Sequence, residues 1–196
     1  MALDNEILRT IRNRRSTRKF SNKQITPEQL DTLLEAAIWA PSGSNSQSWK
    51  FTAIQNPEVL QKLNELVRSG FLERYEPDDD YPGKKFAKNA AANESYNFYY
   101  HAPTFIIASN VGGYANAIAD CALGLENVFL AAESLGLGSC YINQLHWLEN
   151  DAPVREYLET LDIPRDHVIC ASASIGYIAA TSNALERKPG TVNIIR

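Results

Sequence analysis

Residues Arg14-Arg15-Ser16-Thr17-Arg18 place three guanidiniums and two hydroxyls in five consecutive positions of a chain that is otherwise acidic. Over residues 1–24, seven Lys/Arg face two Asp/Glu, a net of +5; the rest carries twelve against twenty-one, a net of −9. A field with that direction draws an anionic ligand to the N-terminal segment. Arginine offers a planar fork of donors matched to phosphate oxygens, and Ser16 or Thr17 adds a hydroxyl donor. Taken alone, the cluster reads equally well as a solvated helix end, so its meaning rests on what accompanies it.

The frame around it is that of one globular domain spanning residues 1–196, with 44% apolar and 21% charged residues. No run approaches the roughly 20 apolar residues of a membrane span. The start Met1-Ala2-Leu3-Asp4 is too polar for a signal peptide, so a cytoplasmic chain is expected. Cys121, Cys140 and Cys170 are widely separated, lack metal-ligand or redox-motif spacing, and lie in apolar contexts that suit reduced core residues. No metal site is expected.

Helices and short buried strands alternate along the chain. Asp4 is placed to cap a first helix with Ile7, Leu8 and Ile11 on its apolar side. Thr26-Pro27-Glu28-Gln29 predicts a capping box opening a helix striped by Leu30, Leu33, Leu34 and Ala37 and stopped by Pro41. Asn56-Pro57 starts a third helix carrying Leu60, Leu63 and Val67, with Gly70 as its expected terminator. Strands are expected over 49–54, 104–109, 139–142 and 167–175. A long helix between the second and third, with Ile118, Cys121, Leu125, Val128 and Phe129 among its apolar positions, reads as buried all round, in part by another subunit. The segment 70–100 is the least regular. Its acidic run Asp78-Asp79-Asp80 reads as solvated loop, or as a mobile cover resting on Phe71, Tyr75, Tyr81 and Phe86.

The second informative stretch is Pro41-Ser42-Gly43-Ser44-Asn45-Ser46-Gln47-Ser48-Trp49. A loop this rich in small hydroxyls and amides presents donors to a polar heterocycle, and Gly43 permits close backbone approach. Together with Arg14-Arg15-Ser16-Thr17-Arg18 about 25 residues earlier, it resembles the nitroreductase family of FMN-dependent oxidoreductases. The resemblance continues through Asp120, Gly136-Leu137-Gly138-Ser139-Cys140-Tyr141-Ile142, Ile175-Gly176-Tyr177 and Arg187-Lys188-Pro189, nearly the whole chain. Four ordered motifs carry it where one would not suffice.

The resemblance implies an α+β fold with a mainly antiparallel central sheet flanked by helices, in an intertwined homodimer with FMN at the interface. It implies that Arg14, Arg15, Ser16 and Arg18 bind the flavin from one subunit. Arg14, Ser16 and Arg187 would hold the phosphate, and Arg18 would sit at the pyrimidine edge and favour the reduced ring. Pro41, Ser42 and Gly43 would come from the other subunit, with Asn45 and Gln47 shaping the same wall. Ile142, Asn143 and Gln144 would aim backbone N–H groups at the ring's N5 and O4. A polar residue ahead of the middle strand would join them, with Asn93, Ser95 and Asn97 as alternatives. Glu126 stands where the family often has Gln, and if buried it needs a partner.

The activity implied is ping-pong hydride transfer from NADH or NADPH to a small-molecule acceptor, a nitroaromatic, a quinone or a related electrophile. It needs no catalytic acid or base, and His101, His146 and His167 neighbour no nucleophile in sequence. The alternative from another class is a flavin-binding protein without turnover: a sensor, a carrier or a flavin-modifying relative. Nucleic acid is disfavoured because the chain is acidic overall and the arginines are not interleaved with aromatics. A Rossmann dehydrogenase is disfavoured because no G-x-G-x-x-G follows a strand.

Overall fold

The computed structural model describes residues 4–76, 81–181, 183–184 and 186–196. Among these, four strands form one antiparallel sheet in the order β1-β2-β4-β3: β1 Lys50–Ile54, β2 Thr104–Val111, β3 Leu137–Ile142 and β4 His167–Tyr177. The helices are α1 Glu6–Asn13, α2 Pro27–Ile38, α3 Pro57–Ser69, α4 Pro82–Ala91, α5 Ala117–Ser134, α6 Gln144–Trp147 and α7 Ala152–Thr160. The α+β architecture implied by the motifs is the one observed.

Local chemistry explains most boundaries. Thr26 Oγ1 accepts from Gln29 N at 3.2 Å while Gln29 Oε1 accepts from Thr26 N at 3.0 Å, the reciprocal box that opens α2. Asn56 Oδ1 accepts from Glu58 N and Val59 N at 2.8 and 3.2 Å to cap α3. α1 departs from expectation by one residue: Asn5 is the extended capping residue and accepts from Leu8 N at 2.9 Å. Asp4 instead pairs with Arg9 at 2.9 Å and Arg12 at 3.0 Å.

α3 ends at Ser69 with Gly70 as its capping residue, at the expected place but not through a left-handed turn. The Gly70 φ of −54° is right-handed, and the chain runs on through a π-turn, Gly70–Arg74. The glycine is there for space, since a Cβ would meet the Leu148 methyls at 3.1 and 3.2 Å. The irregular segment also contains α4, which the sequence reading did not separate from loop. The acidic run at 78–80 lies outside the described residues.

Two cores lie on the two faces of the sheet. Phe105, Ile107, Cys140 and Ile142 face α3, α6 and α7, while Ile106, Ala108, Leu137 and Ala173 face α2 and α5. In β4 the phase is reset by a bulge: Ala108 pairs with Ala171 and Ser109 with Ile169, leaving Cys170 as the extra residue. Ile169 therefore joins the first core, and Ala171, Ala173 and Ile175 join the second.

Within one chain the long helix α5 is buried along a single stripe. Its buried stripe is Ala117, Asp120, Cys121, Gly124, Leu125, Val128, Phe129 and Ala132, whereas Ile118 is 55% exposed and Leu123 also faces out. Glu126 is half exposed, so it carries no buried charge; its carboxylate lies 3.9 Å from Arg14 Nε. All three cysteines are buried free thiols.

Candidate functional site

The arginine segment is an extended strip laid on the outer edge of β3. Ser16 bridges Ser139 in parallel, Thr17 N donates to Ser139 O at 2.8 Å, and Ser21 N donates to Tyr177 O at 2.9 Å. The glycines of Gly136-Leu137-Gly138 have separate tasks here. Gly136, at φ +68°, takes the left-handed turn out of α5. Gly138 makes room for the strip, because a Cβ there would lie 2.6 to 2.8 Å from the Thr17 side chain.

Extended backbone sends alternate side chains to opposite sides, and this divides the cluster. Arg14 and Arg18 go one way. Arg14 lies over Phe129 and Arg18 over Tyr100, each 5.9 Å from the ring centroid. Burial pushes the Cys140 thiol up, and the charges of Arg18 and Arg14 act against that rise, so both guanidiniums act on the same strand. Arg15 and Thr17 go the other way, into a cavity of about 440 Å³ with Asn13, Glu133, Ile178 and Asn183. Arg15 Nη1 donates to the carbonyls of Arg12 and Arg14 at 2.6 and 2.8 Å. A neighbouring groove of about 280 Å³ is lined by Ile11, Arg12, Arg15, Ala184 and Arg187. The structure thus groups Arg187 with Arg12 and Arg15, where the sequence reading grouped it with Arg14 and Ser16.

The loop over 41–48 is built differently. It contains a 3₁₀ turn, Gly43–Asn45, and three left-handed residues, Ser44, Asn45 and Gln47 at φ 54°, 54° and 47°. Such backbone costs on the order of 1 kcal/mol per residue and needs bracing. Gly43 N donates to both carboxylate oxygens of Asp120 at 3.2 Å, and Asp120 is only 4% exposed. The Tyr114 hydroxyl lies 3.1 Å from the Gly43 carbonyl and 3.1 Å from Asp120 Oδ2, and accepts from Ser46 Oγ at 3.2 Å. Inside the loop, Gln47 N donates to Ser42 Oγ and Gln47 Nε2 to Asn45 Oδ1, both at 3.1 Å. A Cβ on Gly43 would lie 2.3 Å from Asn116 and 2.4 Å from the Tyr114 hydroxyl. Pro41 precedes the turn and is exposed.

Tyr114, and the work done by Asp120, escaped the sequence reading because they lie about seventy residues from the loop they hold.

The strip and the loop attach to one helix at separate points. Both rest on α5, the loop at Asp120 in its first turn and the strip at Glu126 and Phe129. At 1.5 Å per residue these attachments are about 9 to 14 Å apart along the helix.

Ile142 ends β3 fully buried, with its carbonyl accepting from Ser172 Oγ at 3.1 Å. Asn143 caps α6 by position and Gln144 is its first residue, so the N–H groups that follow have no partner from a preceding turn. Ahead of β2, Asn93 Oδ1 accepts from Ser95 N and Oγ, and Asn97 Oδ1 from His101 N. All three polar candidates there serve local turns.

The histidines are structural or exposed. His146 Nδ1 lies 2.6 Å from Ile169 O and His167 Nδ1 3.1 Å from Ser109 Oγ; burial pushes the His167 pKa below its ordinary value. His101 is exposed. Among the described residues no group of three His, Cys, Asp or Glu is arranged to hold a metal ion, and no helix is long and apolar enough to cross a membrane.

An antiparallel sheet between two helical layers, with a cationic strip on one edge and a braced polar loop, places the protein in the α+β class. Residues 11–177 match the model of the nitroreductase family, and the chain belongs to that family. It is 39% identical to a nitroreductase with bound FMN from Bacteroides fragilis, with a TM-score of 0.90 over 98% of this chain and 100% of that one. It is 27% identical to an FMN reductase (NADPH) of Bacillus subtilis, over 94% of this chain and 71% of the relative. A nitroreductase with bound FMN from Desulfitobacterium hafniense shares the fold at 24% identity and a TM-score of 0.84, covering 99% of this chain and 100% of that one.

Proposed function

We propose that residues 1–196 act as one FMN-binding domain, in a homodimer, and that the protein is an NAD(P)H-dependent oxidoreductase of small electrophilic acceptors. The observation that carries this reading is the separation of two half-sites on α5. The strip supplies cations and the loop supplies small polar groups, at separate points of one helix. A second copy of the chain brings the missing half. Exposed apolar side chains, with Trp39 77% exposed and Ile118, Leu123 and Ile38 beside the same two helices, provide surface for it.

The donor set fits a flavin nucleotide. Arg12, Arg15 and Arg187 on one groove suit a phosphate, with Arg14 and Ser16 on the adjoining strip. Arg18 is the cation assigned to the pyrimidine edge, where its charge favours the reduced, more negative ring. The backbone N–H groups at Ile142, Asn143 and Gln144 are assigned to N5 and O4. The partner subunit's Pro41, Ser42 and Gly43 close the opposite wall, with the partner's Asn45 and Gln47 beyond them. When bound, FMN supplies two-electron chemistry, taking hydride from NADH or NADPH and yielding it to a nitroaromatic, quinone or related acceptor in a ping-pong order. The chain's own tasks are to orient the ring, stabilise charge and exclude water, and no side chain is assigned as acid or base. Three buried free thiols suit a reducing compartment such as the cytoplasm.

The test is anaerobic reduction of the purified protein by NADH and NADPH, followed by a panel of nitroaromatic, quinone and enone acceptors. Reduction by either nicotinamide and reoxidation by one acceptor class is expected. A yellow protein that oxidises neither nicotinamide with any acceptor belongs to the non-catalytic alternative. Ultracentrifugation adds an independent check, since a monodisperse monomer holding FMN contradicts the shared site.

A further inference from the structure

The turn that delivers β2 stands out for its backbone. Tyr100 and His101 are consecutive left-handed residues, at φ 56° and 54°, and neither is a glycine. Such pairs persist only where the surroundings over-determine them. Here His101 N donates to Asn97 Oδ1 at 2.8 Å, and the Tyr99 carbonyl accepts from Ala102 N at 3.1 Å and from the buried Ser174 Oγ at 2.9 Å. Tyr99 and Phe98 pack edge-on against each other and both pack against Phe105, which fixes the turn to the core. The Tyr100 ring centroid lies 5.9 Å from the Arg18 guanidinium carbon, within cation–π range.

The geometry points to Tyr100 as a positioning residue, a rigid aromatic seat that holds the Arg18 guanidinium at the flavin's pyrimidine edge. The inference rests on the proposed flavin site and adds to it a residue outside every motif that identified the site. Arg18 is exposed at the end of a flexible stem, so its charge acts at one place only if something holds it there. The strained turn does this with a ring that is partly buried against the first core. Losing the seat leaves the charge present but spread over many positions, which weakens its preference for the reduced ring.

The experiment measures the flavin midpoint potential and FMN affinity in wild type, Tyr100→Phe, Tyr100→Leu, Tyr100→Asn, Arg18→Ala and the Arg18→Ala/Tyr100→Leu double variant. Tyr100→Phe keeps the ring and is expected to retain the wild-type potential. Tyr100→Leu and Tyr100→Asn are expected to weaken reduced FMN relative to oxidised FMN roughly three- to fivefold, as an exposed cation–π contact implies. At 29.6 mV per tenfold change in a two-electron couple, this lowers the potential by about 14 to 21 mV. Asparagine tolerates left-handed backbone, so that variant carries the test if the leucine variant does not fold. In the Arg18→Ala background, removal of the ring is expected to shift the potential no further. An equal shift in that background shows Tyr100 acting without Arg18 and overturns the inference. So does an unchanged potential in both ringless variants when Arg18→Ala lowers it. A wild-type chain that takes up no FMN overturns instead the reading on which the inference rests.

Discussion

The strip at 14–18 and the loop at 41–48 are both polar segments resting on α5, yet they are held in opposite ways. The strip is secured by backbone pairing to β3 at Ser16 and Thr17, and its continuation by Ser21 N to β4, so its outward side chains are free to be chosen for their charge. The loop has left-handed residues and no strand partner, and is secured by one buried carboxylate and one phenol. A site half built on ladder bonds tolerates side-chain change without moving. A site half built on a side-chain brace moves when the brace changes.

The largest expected effect breaks the comparison at the strip. Arg14→Ala with Arg18→Ala is expected to abolish FMN binding while leaving the melting transition nearly unchanged, since hydrogen bonds to charged groups contribute about 1.5 to 3 kcal/mol each. Stoichiometric FMN retained by the folded double variant, read from its absorbance, would sink the assignment. Next comes Gly138→Ala, which forces a Cβ against Thr17 and is expected to cost about 1 to 3 kcal/mol in chemical denaturation. If stability were unaffected, the strip would not be pressed on β3 as described. Asp120→Asn sharpens the comparison at the loop. It removes a charged acceptor from Gly43 N and is expected to cost about 1 to 2 kcal/mol, with a larger proportional loss of FMN affinity than Tyr114→Phe, at about 1 kcal/mol. Equal FMN affinity in wild type and both variants would mean that the loop needs no brace. The smallest effect is at Tyr96, which touches neither the ladder bonds of the strip nor the brace of the loop. The Tyr96 hydroxyl is buried without a hydrogen-bond partner among the described residues, so Tyr96→Phe is expected to be neutral or stabilising by up to about 1 kcal/mol.

How much the sequence disclosed follows the same divide. The four strands, α2 and α3 were legible because capping boxes, prolines and apolar runs are local signals. So was the strip, whose charge stands out against an acidic chain. α4 was not legible, since Tyr81 offers no side-chain cap and Lys84, Lys85 and Lys88 mask a face that buries only Ala87 and Ala91. Gly70 marks the end of α3, but its conformation was not legible, because a glycine needed for space and a glycine needed for a left-handed turn look alike in sequence. On α5, composition does not say which apolar residues a single chain leaves uncovered. The brace at Tyr114 and Asp120 exists only once the chain has folded.

The extra residue in β4 has a consequence for how this chain tolerates insertions and deletions. Beyond Cys170 the strand runs out of step with its own first half, and that offset points Ser172 and Ser174 toward the Ile142 and Tyr99 carbonyls. Deleting one residue there would leave the composition of β4 almost intact and still exchange its two faces. Apolar side chains would be swung onto those carbonyls and hydroxyls into the layer shared with α2 and α5. A segment that resembles an interchangeable run of small residues therefore works as a counting device, and its length is under tighter constraint than its letters.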